Sequence, residues 1–334
     1  MQKLLVIMGP TASGKSDLAV SLAKKINGEI ISADSRQVYK GLDIGTGKIT
    51  KKEMRGVPHH LLDVVSPKKI FTASSFKKFA EKKVGEIAKR GRLPIICGGT
   101  GFYIDALLGD KQIPEVPPNL ELRKKLEKKS VEELFKILQK LDPERATNID
   151  AKNPRRLVRA IEIAKAIGKT PRYEARDKKY DAFKIGVAPI TPSPTPSSYN
   201  KRKGLPAPSL VVREGGVSYF LDEKELRKKI NKRIEKWFKQ GLLKEVQNLH
   251  NPPAGGGLSW KRMSEIGLEY KLVAEYLKSK NSNLKSLKKE MSGKTWQYAK
   301  RQITWFKKDK GIVWSRLGNV KFIQKEVEKF LKKK

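Results

Sequence analysis

Cysteine is almost absent from this chain of 334 residues, which contains a single one, Cys97. An intramolecular disulfide is therefore excluded, and so is a metal site built from several thiolates. Long apolar runs are also lacking, since no stretch approaches the roughly 20 residues of a membrane-spanning helix. No secretory leader precedes the first apolar run, which begins at Leu4. These absences predict a cytoplasmic protein that makes no contact with a membrane.

Acidic residues are scarce relative to basic ones. The chain has 35 Asp and Glu against 73 Lys and Arg, a formal net charge of +38. An excess of this size points to a polyanionic partner, and nucleic acid is favoured over a membrane surface. A general bias toward Lys on exposed helix surfaces is the alternative explanation. Hydrophobic residues make up 38% of the chain, enough for the core of one large or two ordinary domains.

One complete phosphate-binding motif lies near the start of the chain. It fits the pattern G-x-x-x-x-G-K-[ST] and consists of Gly9, Pro10, Thr11, Ala12, Ser13, Gly14, Lys15 and Ser16. The apolar run 4–8 before it predicts a buried strand, and the helical spacing over 17–26 predicts a helix after it. In such a loop Lys15 reaches terminal phosphates and the Ser16 hydroxyl binds Mg²⁺. The loop alone leaves open whose phosphate it holds.

Two further predicted strands end in polar or glycine-rich segments. The strand 28–33 leads into Asp34, Ser35, Arg36 and Gln37, and the strand 93–97 leads into Gly98, Gly99, Thr100 and Gly101. Ligands bind at the carboxyl edge of parallel sheets, so Asp34 is expected near the phosphate loop. There it can bind Mg²⁺ through water, accept a proton from a nucleophile, or serve only as a turn residue. The third strand lacks the terminal Asp by which common ATPases hold Mg²⁺.

The middle of the chain changes character after the Pro-rich joint 114–118. Helices are predicted at 119–129, 131–141 and 154–167, without strands between them. This pattern favours an α/β fold, a parallel sheet flanked by helices over 1–115 and 183–334, with an all-helical insertion over 116–182. Arg155, Arg156 and Arg159 occupy neighbouring turns of the last helix. They form either a surface for RNA phosphates or a solvated helix face.

The last third begins with a predicted return strand over 183–188 and a Pro, Ser and Gly-rich excursion over 190–221. Within the excursion, 211–213 and 217–221 can form a hairpin. An amphipathic helix follows from residue 222, then a helical region in which aromatic residues alternate with Lys and Arg, and a final strand near residue 313. Those aromatic residues suit either base stacking or a core face. The adjacent His59 and His60 do not predict a metal site, because neighbours in an extended segment point to opposite faces.

Taken together, these motifs resemble those of the tRNA dimethylallyltransferases, the IPP transferase family, nearly from end to end. The resemblance is carried by 9–16, 34–39 (Asp-Ser-Arg-Gln-Val-Tyr), 41–46 (Gly-Leu-Asp-Ile-Gly-Thr), 58–63, 98–101, 154–160, 264–267 and 298–305 (Tyr-Ala-Lys-Arg-Gln-Ile-Thr-Trp). The chain departs from the family at 190–221, where about thirty extra residues intervene. The resemblance implies a P-loop NTPase-like core with an inserted tRNA-binding domain, acting as a cytoplasmic monomer.

The resemblance also implies a reaction: transfer of a dimethylallyl group from dimethylallyl diphosphate to N6 of the adenosine next to the anticodon. The diphosphate would lie in the loop 9–16, with Mg²⁺ on Ser16. Lys15, Thr100 and Arg233 would stabilise the charge that develops on the leaving group, and Asp34 would accept the proton of the adenine amine.

The same resemblance implies which residues contact the tRNA anticodon stem-loop. Ser35, Arg36 and Gln37, together with Asp34 and Thr100, would hold the adenosine and nearby backbone. The helical insertion would grip the stem through Arg123, Arg155, Arg156, Leu157, Val158 and Arg159. Two alternatives remain, a kinase or other P-loop enzyme that uses ATP and an RNA-binding protein without activity. Whether ATP binds the loop stays open.

Overall fold

A computed structural model of the chain describes residues 1–110, 113–169, 179–192, 211–214, 217–253, 255–279, 283–316 and 320–333. The chain divides into two compact units. Unit 1 comprises Met1–Leu108 and Lys178–Lys334, and unit 2 comprises Gly109–Asp177. The boundaries expected from sequence, at residues 115 and 183, lie a few residues further along the chain.

Unit 1 is built on a six-stranded sheet in the order β3-β2-β4-β1-β5-β9, in which every neighbouring pair is parallel. Its strands are β1 (Gln2–Met8), β2 (Gly28–Ser32), β3 (His59–His60), β4 (Leu93–Gly98), β5 (Tyr180–Ala188) and β9 (Ile312–Arg316). The α/β fold expected from sequence is therefore confirmed. The strand predictions for 4–8, 28–33, 93–97 and 183–188 also hold, with small shifts at their ends.

The helices of the described residues are the following, in chain order. They are α1 (Lys15–Lys25), α2 (Lys51–Met54), α3 (Ala73–Lys89), α4 (Gly101–Leu108), α5 (Leu120–Leu126), α6 (Val131–Leu141), α7 (Pro143–Asn148), α8 (Pro154–Ile167), α9 (Glu223–Lys239), α10 (Leu242–His250), α11 (Trp260–Ile266), α12 (Leu268–Lys278), α13 (Leu284–Phe306) and α14 (Val320–Lys332). None of them is long and apolar enough to cross a membrane.

Strand β1 is buried on both faces, which explains why its sequence is continuously apolar rather than alternating. Because side chains alternate along a strand, Leu4, Val6 and Met8 enter one core and Leu5 and Ile7 enter another. The first core includes residues of α3, α4 and α9–α13. The second is closed by α1 and α14. The central strand that ends at the phosphate loop is thus fixed from both sides.

A second sheet of three antiparallel strands interrupts the chain between β5 and α9. It consists of β6 (Ile190–Pro192), β7 (Val211–Glu214) and β8 (Val217–Leu221), in the order β6-β8-β7. The hairpin predicted for 211–221 is confirmed, because Val211 lies opposite Phe220 and Glu214 opposite Val217. The rest of the excursion, 193–210 and 215–216, lies outside the described residues.

In the described part of unit 2, the helices α5, α6, α7 and α8 form a small core. Helix α8 has the start that its sequence specifies: the Asn153 side chain accepts the backbone N–H of Arg156, and Pro154 occupies the first turn. Gly168 ends the helix with φ 83°. The central apolar contacts of the unit come from Leu126, Leu134, Leu138, Leu157 and Ile161.

Candidate active site

The phosphate loop connects β1 to α1 at the carboxyl edge of the sheet. The end of β1 lies between those of β4 and β5, with Met8 opposite Gly98 and Gly186. At Gly9 a Cβ atom would lie 2.2 Å from the carbonyl oxygen of Val187, so a side chain cannot be accommodated without moving the backbone. Gly14 has φ 85°, in the left-handed region that glycine tolerates best. These glycines let the loop turn tightly beside β5 and start α1 at Lys15.

A cavity of about 1070 Å³ opens over this loop. Of the residues predicted to form the site, those that line it are Thr11, Ala12, Ser13, Gly14, Lys15, Ser16, Asp34, Arg36, Gln37 and Arg233. Further walls come from the segment 43–50, from α9 and from Glu269, Tyr298, Arg301 and Gln302. Among the residues that the structure describes, four of those predicted for the site do not line the cavity: Gly9, Pro10, Ser35 and Thr100. Phosphate loop and carboxylate therefore share one cavity, as their places in the sequence predict.

Lys15 folds back onto its own loop, where its Nζ donates to the carbonyl oxygen of Pro10 at 3.2 Å. Desolvation lowers the pKa of its amine, and the nearby Arg233 cation lowers it further, while Cys97 and Asp34 oppose the shift. A phosphate group would supply the negative charge that this amine lacks. An anionic ligand bound beside Lys15 would therefore stabilise its charged form.

Arg233 reaches the same loop from α9. Its Nη1 donates to Thr11 Oγ1 at 3.3 Å, and its Nη2 donates to the carbonyl oxygens of Thr46 at 3.2 Å and Gly47 at 3.4 Å. Desolvation lowers its pKa, and the carboxylates of Glu269, Asp34 and Glu53 oppose this shift. The guanidinium therefore remains charged but poorly solvated, which strengthens its attraction for a phosphate.

The Asp34 carboxylate is held in a turn at the end of β2. Its Oδ1 accepts the backbone N–H of Arg36 at 2.8 Å and of Gln37 at 3.4 Å. The backbone N–H of Ser35, the residue directly after Asp34, donates to Thr100 Oγ1 at 3.1 Å. The backbone N–H of Thr100 donates in turn to the carbonyl oxygen of Ala33 at 3.2 Å. The ends of β2 and β4 are thereby tied together. Because Thr100 Oγ1 accepts from Ser35, its own proton can be donated to a ligand.

Gln302 on α13 is a site residue for which the sequence motifs predicted no role. Its Oε1 accepts the Thr11 N–H at 2.8 Å and its Nε2 donates to the Gly99 carbonyl at 2.9 Å. The side chain is buried, with 7% of its surface exposed. A polar side chain among the apolar positions of this helix was the available signal, since buried amides are normally hydrogen-bonded.

Tyr298, one turn earlier on α13, lines the same cavity and was also missed. Desolvation raises the pKa of its phenol, and the Asp34 carboxylate raises it further. The hydroxyl therefore stays protonated beside Asp34. Of the two interpretations of this aromatic segment, a core face holds for Trp296 and Phe306, which are buried, whereas Tyr298 is 37% exposed.

Cys97, His59 and His60 each contact neighbouring protein groups. The Cys97 Sγ donates to the Lys15 carbonyl at 3.8 Å, and desolvation raises the pKa of its thiol to about 11, so it is no nucleophile at neutral pH. His60 Nε2 lies 2.6 Å from the buried carboxylate of Glu29. His59 Nδ1 lies 2.8 Å from the Val57 carbonyl oxygen.

In unit 2 the predicted RNA-binding residues separate into three groups. Arg155 and Arg156 are exposed. Leu157 and Val158 are buried in the core, so their side chains anchor α8 and present no surface to RNA. Arg123 and Arg159 both donate to the buried carboxylate of Glu162, with Arg123 Nη2 at 2.8 Å and Arg159 Nη1 at 2.5 Å. Arg155 and Arg156 are therefore the most open of the four arginines to an external phosphate, and Arg156 Nη1 also lies 3.5 Å from Asp150 Oδ2.

The cavity offers oxygen donors for a magnesium ion. Ser16 is exposed at its wall, and Asp34 lies on the same cavity. Mg²⁺ usually takes only one or two protein ligands and completes its shell with substrate phosphates and water. Among the residues that the structure describes, no three His, Cys, Asp or Glu side chains are grouped to hold a metal by themselves. The donors fit a magnesium ion bound together with a phosphate ligand.

Comparison with known proteins gives matches over nearly the whole chain. The model of the IPP transferase family matches residues 37–309. The tRNA dimethylallyltransferase of Halalkalibacterium halodurans is 36% identical over 331 residues, covering 98% of this chain and 95% of that protein. The tRNA dimethylallyltransferase of Anoxybacillus flavithermus is 34% identical over 330 residues, covering 99% and 95%.

Solved structures give the same result. The full-length tRNA isopentenylpyrophosphate transferase of Bacillus halodurans matches with a TM-score of 0.66 and 31% identity, over 99% of this chain and 97% of that one. A eukaryotic dimethylallyltransferase described as acting on tRNA matches with a TM-score of 0.72 over 95% of this chain and 74% of that one. Because the two sequences are only 23% identical, this match shows a shared fold and nothing further.

Proposed function

This chain belongs to the IPP transferase family, and from that membership we propose that it prenylates tRNA. The reaction is transfer of the dimethylallyl group of dimethylallyl diphosphate to N6 of adenosine 37, next to the anticodon, in tRNAs that read codons beginning with U. The products are N6-(dimethylallyl)adenosine and diphosphate. The observation that carries the proposal is the single cavity shared by the phosphate loop, Arg233 and Asp34. The tRNA dimethylallyltransferases that match over the full chain support the choice of substrates.

The donor is held by its diphosphate. The end of the loop at Gly14, Lys15 and Ser16, with the amine of Lys15 and the guanidinium of Arg233, lines the position where it would lie. As the bond between C1 of the dimethylallyl group and the diphosphate oxygen breaks, the electron pair stays on that oxygen. The two cations, both poorly solvated, stabilise this developing charge more than they stabilise the bound substrate. Ser16 would hold a Mg²⁺ ion together with the phosphates, and that ion would supply positive charge to offset part of the charge of the diphosphate.

The acceptor is the exocyclic amine of adenine, a weak nucleophile because its lone pair is delocalised into the ring. As the N6–C1 bond forms, the proton of N6 passes to the Asp34 carboxylate. The amides of Arg36 and Gln37 fix the direction of this carboxylate, and the Thr100 hydroxyl, which accepts the amide of Ser35, holds the adjoining turn in place. The adenosine must leave the stack of the anticodon loop to reach the cavity.

The rest of the tRNA contacts the basic surface. The net charge of +38 supplies the general attraction for the phosphate backbone. Arg155 and Arg156, exposed on α8 of unit 2, are proposed to bind phosphates of the anticodon stem. We propose that the protein works in the cytoplasm as a monomer, which sedimentation of the free protein would test.

Product analysis tests the proposal directly. Unmodified tRNA is incubated with the protein, Mg²⁺ and either dimethylallyl diphosphate or ATP, and the nucleosides are weighed after digestion. We expect an adenosine heavier by one dimethylallyl group with the first donor only, and none with the Lys15→Ala variant. Consumption of ATP without a change in nucleoside mass would instead support a phosphoryl-transfer enzyme.

A further inference from the structure

The loop 41–48 is a second glycine-rich segment beside the cavity, and it has no direct role in the proposed reaction. The backbone N–H groups of Asp43, Ile44 and Gly45 are consecutive and point to one place. Such a nest of amides commonly binds an anion. Here the anion is part of the protein: the carboxylate of Glu245, from α10, accepts these three bonds at 2.9, 2.7 and 3.0 Å. The nest is therefore not a second phosphate site.

The carboxylate is itself held in place. Tyr270 on α12 donates its hydroxyl to Glu245 Oε1 at 2.8 Å. Burial raises the pKa of this phenol well above its usual value, and the Glu245 carboxylate adds to the shift, so the hydroxyl remains a donor. Tyr270 is fully enclosed, with 1% of its surface exposed. Glu245 thus connects the loop to the rigid core of unit 1.

Two carbonyl groups of the same loop contact Arg233. Those of Thr46 and Gly47, directly after the nest, accept the Nη2 donors of Arg233. The Nη1 of the same guanidinium contacts Thr11 of the phosphate loop. A continuous set of hydrogen bonds therefore runs from Glu245 through the loop to Arg233 and the diphosphate position.

We propose that Glu245 is a positioning residue for the prenyl donor: by filling the amide nest, it fixes the Thr46 and Gly47 carbonyls that aim Arg233 at the diphosphate. Without the carboxylate, three adjacent N–H groups lose their partner and the loop relaxes toward water. Arg233 would then have to be ordered by the ligand itself, which weakens donor binding. This inference rests on the proposed function, because it assumes that the anion held by Arg233 is the diphosphate of the donor.

The test compares Glu245→Gln, Arg233→Ala and the double variant. The carboxamide of Glu245→Gln keeps one acceptor oxygen but turns an NH₂ group toward the nest. We expect the KM for dimethylallyl diphosphate and the Kd for inorganic diphosphate to rise about tenfold in Glu245→Gln and about a hundredfold in Arg233→Ala. The double variant should match Arg233→Ala alone, since a positioning residue has no effect once its target is gone. Affinity for unmodified tRNA should stay unchanged in all three.

Glu275→Gln is the matched control, because it removes the same charge from an exposed pair with Lys271 on α12. If Glu245→Gln binds both diphosphates as Glu275→Gln does while Arg233→Ala is weakened, the inference is overturned and the proposed function stands. Additive losses in the double variant would likewise overturn it, because they would show that Glu245 acts independently of Arg233. If Arg233→Ala itself keeps full affinity for both diphosphates, the proposed role of Arg233 fails.

Discussion

The carboxamide of Gln302 accepts a hydrogen bond from the backbone N–H of Thr11 at 2.8 Å. Through its other end, the same side chain donates to the Gly99 carbonyl. One buried residue on α13 thereby joins the loop proposed to hold the diphosphate to the turn that carries Thr100. The separation of donor and acceptor positions depends on this bridge.

Replacing Gln302 with Leu should therefore slow the reaction more than it weakens either substrate. Both hydrogen bonds are lost while the volume is nearly kept, so the two loops can shift relative to each other. A displacement of about 1 Å can lower a rate about a hundredfold, and we expect kcat to fall by about ten- to a hundredfold. Single-turnover kinetics at saturating donor and tRNA would measure this. Gln247→Leu, on an exposed position of α10, is the control; equal kcat values in the two variants would contradict the bridge.

Asp34→Asn isolates the transfer of the proton. The amide oxygen of Asn can still accept the N–H groups of Arg36 and Gln37, so the turn is kept while the base is lost. We expect kcat to drop by roughly 10²- to 10⁴-fold with tRNA affinity unchanged. Equal losses of turnover and tRNA affinity would show that the carboxylate binds the RNA and does not accept a proton.

The pH dependence of donor binding should report on Lys15. Desolvation lowers the pKa of this amine in the folded protein below the ordinary 10.5. Its cation is therefore lost at a lower pH than that of an exposed lysine, and affinity for the diphosphate should fall as the pH rises through that lowered value. Inhibition by inorganic diphosphate, measured over roughly pH 7 to 10, would show the decline. A Lys15→Met variant should give a weaker but flatter profile, and a profile as steep as that of the unchanged protein would assign the titration to another group.

The same shift affects the free protein in the opposite sense. Below the lowered pKa the folded state carries a poorly solvated ammonium group that the unfolded state solvates fully. This destabilising contribution disappears above 10.5, where the amine is neutral in both states. Between the lowered pKa and 10.5, binding of diphosphate should favour the charged form of Lys15, so that the protein takes up a proton as the complex forms.

The arginines of unit 2 should fall into two classes when changed to Ala. Arg155→Ala with Arg156→Ala should lower tRNA affinity and reduce the slope of log K against log salt by about 1 to 2, with the melting temperature unchanged. An unaltered slope would leave this face as solvated surface.

Arg159→Ala should instead lower the stability of unit 2 by about 1 to 3 kcal/mol, because it removes a donor from the buried Glu162. Desolvation alone would raise the pKa of Glu162, but the hydrogen bonds from Arg123 and Arg159 outweigh it and hold the pKa below 4.5. The stabilisation is thus present above pH 4.5 and is lost as the pH falls through the lowered value. Chemical denaturation at neutral and acid pH measures both effects. A loss of tRNA affinity without loss of stability would contradict the assignment.

Much of the fold follows from patterns within single segments. The apolar run 4–8, the phosphate loop and the helix 154–167 are local features, and each appears in the structure where the sequence predicts it. Missed were the two-residue strand β3 and the short helices α2, α4 and α7, whose lengths are too small to show a period. Helix α14 was missed too, although its 13 residues carry buried apolar side chains at helical spacing. Strand β6 was missed because its partner β8 is far along the chain.

The site was harder to predict because its second layer joins distant segments. Gln302 meets Thr11 across 291 residues, and Glu245 meets Asp43 across 202. Sequence spacing carries no information about such pairs. Burial was also hard to predict at Leu157 and Val158, which share a motif with exposed arginines but face the core, because one helix turn presents both a buried and an exposed side.

The place of β1 in the sheet has a consequence for synthesis on the ribosome. Strand β1 is made first, but one of its two neighbours, β5, begins at Tyr180, after the whole of unit 2. Until then, the emerging sheet carries β1 as an unpaired edge, the kind of surface that recruits chaperones or other chains. Unit 2 can complete its own core during this interval. The length of the helical insertion therefore sets the delay between synthesis of the phosphate loop and the pairing of β1 with β5.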